Sequence, residues 1–116
     1  MSGIAGFSVY TESLTEEKYL WMALARRMAR RISHRGPDDR GAHVSEHCAL
    51  AHVRLALQDP ENGLQPMTVH QGGCAFTIAY DGELWNAAEL RRELEAQCFH
   101  FHTSSDTEVV LKAYLC

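Results

Sequence analysis

The order in which strand-like and helix-like segments follow one another limits the fold of this chain more than any other feature. Strands are predicted at residues 3–10, 49–55 and 75–80, and helical patterns follow Ser13, Asn86 and Ser105. Two of the strands follow each other with no helix between them, whereas neighbouring parallel strands need a crossover that is usually helical. The pattern therefore predicts an α+β fold, with helices packed on antiparallel sheet.

Local signals indicate the helix ends and their buried faces. Ser13 with Glu16 and Ser105 with Glu108 have the spacing of a capping box, and Asn86 with Glu89 resembles a helix start. The apolar side chains expected to face inward are Leu20, Leu24, Met28 and Ile32 on the first helix, Leu90 and Leu94 on the second, and Val110, Leu111 and Tyr114 on the last.

Glycine, proline and aspartate indicate the connections. Residues 34–41 are predicted as a loop, and Asp81-Gly82 as a turn. Residues 99–102 alternate like a half-buried strand, with His100 and His102 on one face. We favour a solvated strand face for these two histidines. A metal site is the alternative. The basic side chains of the first helix are likewise expected to form a solvated face.

The composition indicates one small globular domain. The chain has 116 residues, of which 46% are apolar and 22% charged, with a net charge of -4. The negative charge argues against nucleic-acid and anionic-membrane partners. No apolar run approaches the roughly 18 residues of a membrane span, and no signal-peptide pattern is present. A cytoplasmic location is therefore expected, with the four cysteines as free thiols and with no metal site.

Six short motifs cover nearly the whole chain. They are Gly3-Ile4-Ala5-Gly6-Phe7, His34-Arg35-Gly36-Pro37-Asp38-Asp39, Arg54-Leu55 through Asp59, Gln65-Pro66-Met67, Tyr80-Asp81-Gly82-Glu83-Leu84-Trp85-Asn86 and Ser105-Asp106-Thr107-Glu108-Val109. In this order they resemble the motifs of class II glutamine amidotransferases. The second, fourth and fifth motifs are similar to the asparagine-synthetase type, rather than to glucosamine-phosphate synthase or the purine-pathway amidotransferase.

This resemblance implies a four-layered αββα sandwich of the N-terminal-nucleophile type, apparently truncated. It implies that residues 1–116 are part of a glutaminase domain, which hydrolyses glutamine to glutamate and ammonia for amide transfer. The synthetase half of such enzymes has no counterpart here. We therefore expect no cofactor in this chain, since ATP and magnesium are implied only for the missing synthetase domain. The expected partners are glutamine and either a synthetase domain or a second copy of the chain.

The resemblance also implies a role for each matching position. Ser2 takes the place of the nucleophile, and Gly82 would donate its N–H group to the oxyanion beside Asp81. The glutamine head group would be held by Arg54 at its carboxylate, by Asp106 at its ammonium group and by Glu83 beside them. The backbone of Leu55, Ala56, Leu57 and Gln58 would line the pocket.

Each of these residues also has a simpler interpretation. A single arginine after a strand is usually exposed, an aspartate at a helix start usually complements the helix dipole, and Asp81-Gly82 alone is usually only a turn. The complete, ordered motif set favours the functional interpretation for Arg54, Asp106 and Asp81-Gly82.

Two residues depart from the family pattern where the chemistry would occur. Ser2 stands where the family has cysteine, and a hydroxyl is far less readily ionised than a thiol. Asp81 stands where the family has asparagine, and an ionised carboxylate can only accept hydrogen bonds. The α-amino group that serves as the base in this family belongs to the nucleophile itself, so retention of Met1 would remove the base.

Three functions therefore remain open. The first is a glutaminase domain with weak or no activity, the second is a non-catalytic glutamine-binding module, and the third is an N-terminal-serine amidohydrolase that acts on another amide. The missing strands also lead us to expect marginal stability or self-association, with partial cover for Ile4, Phe76, Ile78 and Phe101.

Overall fold

A three-stranded antiparallel sheet with one helix across its face forms the first half of the molecule. The computed structural model describes residues 2–55 and 61–116. The strands are β1 (Gly3–Ser8), β2 (Asp39–Val44) and β3 (Cys48–Arg54), in the order β1-β3-β2. Helix α1 (Lys18–Arg31) contacts all three strands, and a short 3-10 turn (Ser33–Arg35) follows it.

A hairpin and two helices form the second half. Strands β4 (Met67–Gln71) and β5 (Cys74–Ile78) pair antiparallel, and helix α3 (Asp106–Leu115) contacts both. Helix α2 (Ala87–Ala96) packs on α3. The hairpin turns at Gly72 and Gly73, whose φ angles of 59° and 79° suit a two-residue turn that needs positive φ at both central positions. The predicted α+β class is confirmed, while the αββα sandwich stays a prediction.

Small side chains let α1 approach the sheet closely. Ala25 and Ala29 are the buried residues of the helix, and they share a core with Leu14, Val44 and the β3 residues Ala49, Ala51 and Val53. The predicted stripe of Leu20, Leu24, Met28 and Ile32 is therefore displaced from the centre of the interface. Leu20 is 47% exposed, and Ile32 lies just after the helix.

The first helix begins later than the sequence suggests. Leu14 is completely buried, and its N–H group donates to the carbonyl of Glu46 at 2.8 Å. This contact holds residue 14 in the core, so the helix starts only at Lys18, without a side-chain cap. The capping box predicted at Ser13 and Glu16 is wrong, whereas the basic residues of α1 are exposed as expected.

Several strand predictions also need correction. The first strand ends at Ser8, two residues early, and residues 39–41 belong to β2 rather than to a loop. Neither β2 nor β4 was predicted as a strand, because each is short and mixes polar with apolar residues. Each is a strand because of the neighbour with which it pairs, β3 for β2 and β5 for β4.

Residues 99–102 form no strand, because side chains of α3 bond the backbone groups that a neighbouring strand would pair. Glu108 accepts the N–H groups of His102 and Thr103, and Lys112 donates to the carbonyl of His100. In the described ranges no group of three or more His, Cys, Asp or Glu side chains is placed to hold a metal ion. The strand face that His100 and His102 were expected to share does not form.

The last helix is capped as predicted only in part. The Ser105 hydroxyl accepts the Thr107 N–H at 3.0 Å, which confirms Ser105 as the N-cap. Glu108 turns toward residues 102 and 103 and does not complete the box. Tyr114 is exposed rather than inward, although its ring lies beside that of Phe76.

Apolar cover is incomplete at several large side chains outside the core under α1. Ile4 is 46% exposed, and Phe76, Ile78 and Phe101 are half-buried. Self-association through these surfaces stays a prediction. Across the two described stretches, no helix combines the length and apolar character required to cross a bilayer.

The turn after α2 offers a test of local strain. Cys98 has a φ of 68°, in the left-handed region that favours glycine. Replacing it by glycine is expected to raise the free energy of unfolding by about 0.5–1 kcal/mol, because the side chain opposes this conformation. Urea denaturation of Cys98→Gly measures the change. Gln97→Gly, at a φ of -95°, is the matched control and is expected to destabilise. A loss of stability in Cys98→Gly would contradict the assignment of strain.

Candidate functional site

One cavity of about 340 Å³ brings most of the predicted site residues together. Ser2, Arg54, Leu55, Asp81, Gly82, Glu83 and Asp106 all line it. Ala56, Leu57 and Gln58 lie outside the described residues. The cavity wall also includes Gly63, Gln65, Tyr80, Ser105 and Thr107, to which the sequence analysis assigned no role.

Strand pairing places Ser2 at the end of β3. In the antiparallel register Gly3 lies opposite Val53, so the start of β1 meets the residues that follow β3. The Ser2 hydroxyl oxygen accepts the Leu55 N–H at 3.2 Å, and the Ser2 nitrogen lies 3.1 Å from the Asp81 carboxylate. The hydroxyl is thus fixed at the cavity wall by a backbone donor.

Arg35 is a site residue that the sequence analysis missed. Its Nε donates to the Ser2 carbonyl at 3.0 Å, and its guanidinium group pairs with Asp81 at 3.3 Å. The only signal in the sequence was its place in the second motif. Arg35 therefore links that motif to both Ser2 and Asp81.

Asp81 acts as a hydrogen-bond acceptor in this arrangement. One carboxylate oxygen faces the Ser2 nitrogen and the other faces Arg35. The ion pair with Arg35 is partly exposed, so its contribution to stability is small. The positive charge of Arg35 nevertheless balances the Asp81 carboxylate beside Ser2.

Opposite charges are buried on the walls of this cavity. Arg54 ends β3 and Asp106 begins α3, and their exposed fractions are only 5% and 9%. A carboxylate oxygen of Asp106 accepts the Leu84 N–H at 2.8 Å, which ties α3 to the loop after Gly82. The simpler interpretation of Arg54 as an exposed residue is wrong. A buried cation and a buried anion in one cavity suit a zwitterionic ligand.

Tyr80 is held against the cavity by two other side chains. Its N–H donates to Gln65 at 2.6 Å, and its carbonyl oxygen lies 3.0 Å from the Nε2 of His52. Burial raises the pKa of the Tyr80 phenol, and the charges of Asp106, Asp81 and Glu83 raise it further. The phenol therefore stays protonated at neutral pH.

Comparison with known proteins gives the same assignment as the motifs. The family model of the glutamine amidotransferase domain matches residues 1–116. The chain is 41% identical over 115 residues to glutamine-hydrolysing asparagine synthetase 3 of Bacillus subtilis, covering 99% of this chain and 18% of that protein.

Shorter matches extend to a second bacterial protein and to plants. Identity is 43% over 91 residues with asparagine synthetase 1 of Bacillus subtilis, covering 78% of this chain and 14% of the relative. It is 42% over 87 residues with asparagine synthetase 3 of Arabidopsis thaliana, covering 75% and 14%. The chain thus spans less than a fifth of the length of these relatives. The chain belongs to the glutamine amidotransferase domain family, in the form found in glutamine-hydrolysing asparagine synthetases.

Proposed function

We propose that the cavity binds free glutamine and that the chain is a glutaminase domain with strongly reduced turnover. The observation that carries this proposal is the burial of Arg54 and Asp106 in the same cavity as Ser2. Arg54 binds the α-carboxylate of glutamine and Asp106 binds its α-ammonium group. Glu83 assists beside them, and Leu55 lines the neighbouring wall.

The chemistry proposed for this cavity is acyl transfer through Ser2. The hydroxyl oxygen attacks the side-chain amide carbon of glutamine, while its proton passes to the Ser2 α-amine in a chain from which Met1 is removed. The carbonyl oxygen becomes an oxyanion, which the Gly82 N–H stabilises. The C–N bond then breaks, the proton leaves with ammonia, and water hydrolyses the acyl ester to glutamate.

Asp81 supplies two reasons for the reduced rate. A carboxylate cannot donate to the oxyanion and repels its charge. The Asp81 carboxylate also accepts the Ser2 N–H at 3.1 Å, and after removal of Met1 this contact holds the nitrogen as a donor, whereas the reaction needs it to accept the proton of the hydroxyl. Serine adds a third handicap, because its hydroxyl ionises far less readily than a thiol.

A binding module without turnover is the second candidate. The same contacts favour it, since both Asp81 oxygens are already engaged by the Ser2 nitrogen and Arg35. Neither contact involves Arg54 or Asp106, which line the same cavity and are proposed to bind glutamine. Covalent labelling of Ser2 by an electrophilic glutamine analogue supports the enzyme, whereas glutamine binding without labelling supports the module.

For the whole protein we propose amide transfer of the kind named for its relatives. The ammonia passes to a synthetase domain, and the ATP and magnesium belong to that domain rather than to residues 1–116. The αββα sandwich, a cytoplasmic location and a possible second copy of the chain are parts of the same proposal. The long relatives, of which this chain matches less than a fifth, support a synthetase partner.

Glutamine binding is expected to depend on Arg54. Truncation in Arg54→Ala should weaken binding by about 2–5 kcal/mol, because a desolvated charge pair with the ligand is lost. Calorimetric titration measures the affinity for glutamine, asparagine and glutamate, with glutamine expected to bind most tightly. Arg40→Ala removes an exposed arginine of β2 and is the matched control, with unchanged affinity expected. Equal affinities for the three amino acids, or full binding by a folded Arg54→Ala protein, would refute the proposed site.

A further inference from the structure

Two side chains hold the backbone of Tyr80, one from β3 and one from the loop before β4. Tyr80 follows β5, and its N–H and carbonyl groups bond to Gln65 and His52 rather than to a strand ladder. The carbonyl and the N–H of the next residue belong to one planar peptide unit. A fixed Tyr80 carbonyl therefore fixes the plane from which Asp81 and Gly82 enter the cavity.

His52 is placed for this contact and for no other polar contact among the described residues. It lies on the central strand β3, is 1% exposed, and its Nδ1 atom has no hydrogen-bond partner there. Because a carbonyl only accepts, the proton of the neutral ring is assigned to Nε2. A buried nitrogen without a partner is costly, so an apolar side chain would suit the site better if packing were its only role.

Gln65 connects the preceding peptide group, which carries the Tyr80 N–H, to the other wall of the cavity. Its amide nitrogen donates to the Thr107 hydroxyl at 2.9 Å, next to Asp106 at the start of α3. Its backbone packs on Gly41 of β2, where a side chain would collide with the Gln65 carbonyl. Gln65 is thus anchored on β2 and on α3 while its side-chain oxygen holds Tyr80.

We propose that His52 and Gln65 are positioning residues, which together clamp Tyr80 and so orient the Asp81–Gly82 segment toward the bound amide. This inference rests on the proposed function, because the oriented group is the oxyanion donor at Gly82. The clamp acts through the backbone and leaves the head-group residues Arg54 and Asp106 untouched. Loss of the clamp should therefore slow the chemical step more than it weakens binding.

The kinetic test uses the Ser2→Cys/Asp81→Asn protein as parent. His52→Leu should lower kcat about 10–100-fold, since misplacement by about 1 Å can cost this much, while KM stays within about threefold. His52→Gln keeps an N–H donor at similar reach and should recover most of the loss. Rates are expressed per glutamine-binding site, counted by calorimetry, so that misfolded molecules do not contribute. An unchanged kcat per site in His52→Leu, or equal losses in the leucine and glutamine variants, would overturn the positioning role.

A second measurement uses the unmodified chain and needs no activity. Nitrogen-15 spectra should show His52 as the Nε2–H tautomer, and the Tyr80 amide should exchange slowly with solvent. His52→Leu should shift the Gly82 amide resonance, whereas His47→Leu, at an exposed histidine, should not. Fast exchange at Tyr80, or a Gly82 resonance indifferent to His52, would refute the clamp. If the Ser2→Cys/Asp81→Asn parent does not hydrolyse glutamine while the unmodified chain shows these signals, the proposed function is refuted and the clamp is not.

Discussion

Glutamine hydrolysis is expected to rise strongly only when Ser2 and Asp81 are both replaced by the residues that the family carries. Ser2→Cys supplies an ionisable nucleophile, and Asp81→Asn supplies a donor to the oxyanion. Adding the donor should raise kcat by about 10²–10³ over Ser2→Cys alone, the effect of one donor in a comparable oxyanion hole. Because the two residues act on one transition state, the double variant should exceed the product of the singles.

Ammonia release from the unmodified chain, the two single variants and the double variant measures this effect. The mass of each purified protein shows whether Met1 has been removed, which the proposed base requires. The Asp81→Asn change leaves Arg35 without its carboxylate partner, yet this pair is partly exposed and Arg35 keeps its bond to the Ser2 carbonyl. Full activity in the unmodified chain, or a double variant no faster than Ser2→Cys, would contradict the roles given to Ser2 and Asp81.

The second large effect is expected at the ion pair beneath the loop before α3. Glu108 and Lys112 are 2% and 6% exposed and lie 2.8 Å apart. Lys112→Met leaves the buried Glu108 carboxylate without a counter-charge. The free energy of unfolding should therefore fall by about 3–5 kcal/mol, a large part of the roughly 5–15 kcal/mol of a typical domain.

Urea denaturation followed by circular dichroism measures this loss. Lys18→Met makes the same chemical change at an exposed position of α1 and should have little effect. Glu108→Gln combined with Lys112→Met removes both charges and should recover part of the stability, because no uncompensated charge then remains. A single Lys112→Met variant as stable as the Lys18→Met control would show that the pair is not important for the fold.

Acid should weaken the fold through the same carboxylate. Burial alone would raise the pKa of Glu108, but the bonds from Lys112, His102 and Thr103 outweigh it, so the net pKa lies below its ordinary value. The contribution to stability is therefore complete above the unfolded pKa of about 4.3 and is lost as the pH falls through the lower folded pKa. The free energies of unfolding of the parent and of Glu108→Gln are measured between pH 6 and pH 2, which spans about two units on either side of that value. The two free energies should converge at the acid end. Parallel curves would exclude Glu108 as the titrating group.

The sequence alone was sufficient to predict the class of fold and to select, from the motifs, candidate site residues that line one cavity. The structure gathers four of these residues around one cavity, namely Ser2, Arg54, Asp81 and Asp106. The first and the last of them are 104 positions apart in the sequence. The capping serine at 105 was also predictable, because its hydroxyl bonds within its own turn. Such predictions succeed where residue type and local spacing carry the information.

Tertiary structure decided the features that depend on distant partners. The start of α1 depends on Leu14 bonding Glu46, and the absence of a strand at residues 99–102 depends on Glu108 and Lys112. Strand β2 is a strand because β3 lies beside it. None of these interactions produces a periodic pattern in the local sequence. Some pair groups that are far apart along the chain, and others use side chains in place of the backbone hydrogen bonds between strands.

The site shows the same division at the level of chemistry. The sequence determined that a carboxylate at position 81 can only accept hydrogen bonds. Only the folded chain decided what it accepts from, because the Ser2 nitrogen and Arg35 reach it from positions 79 and 46 residues away. The contact of His52 with Tyr80 likewise arises from packing across the sheet face. Residue identity sets what each group can do, and the three-dimensional arrangement sets which groups it acts on.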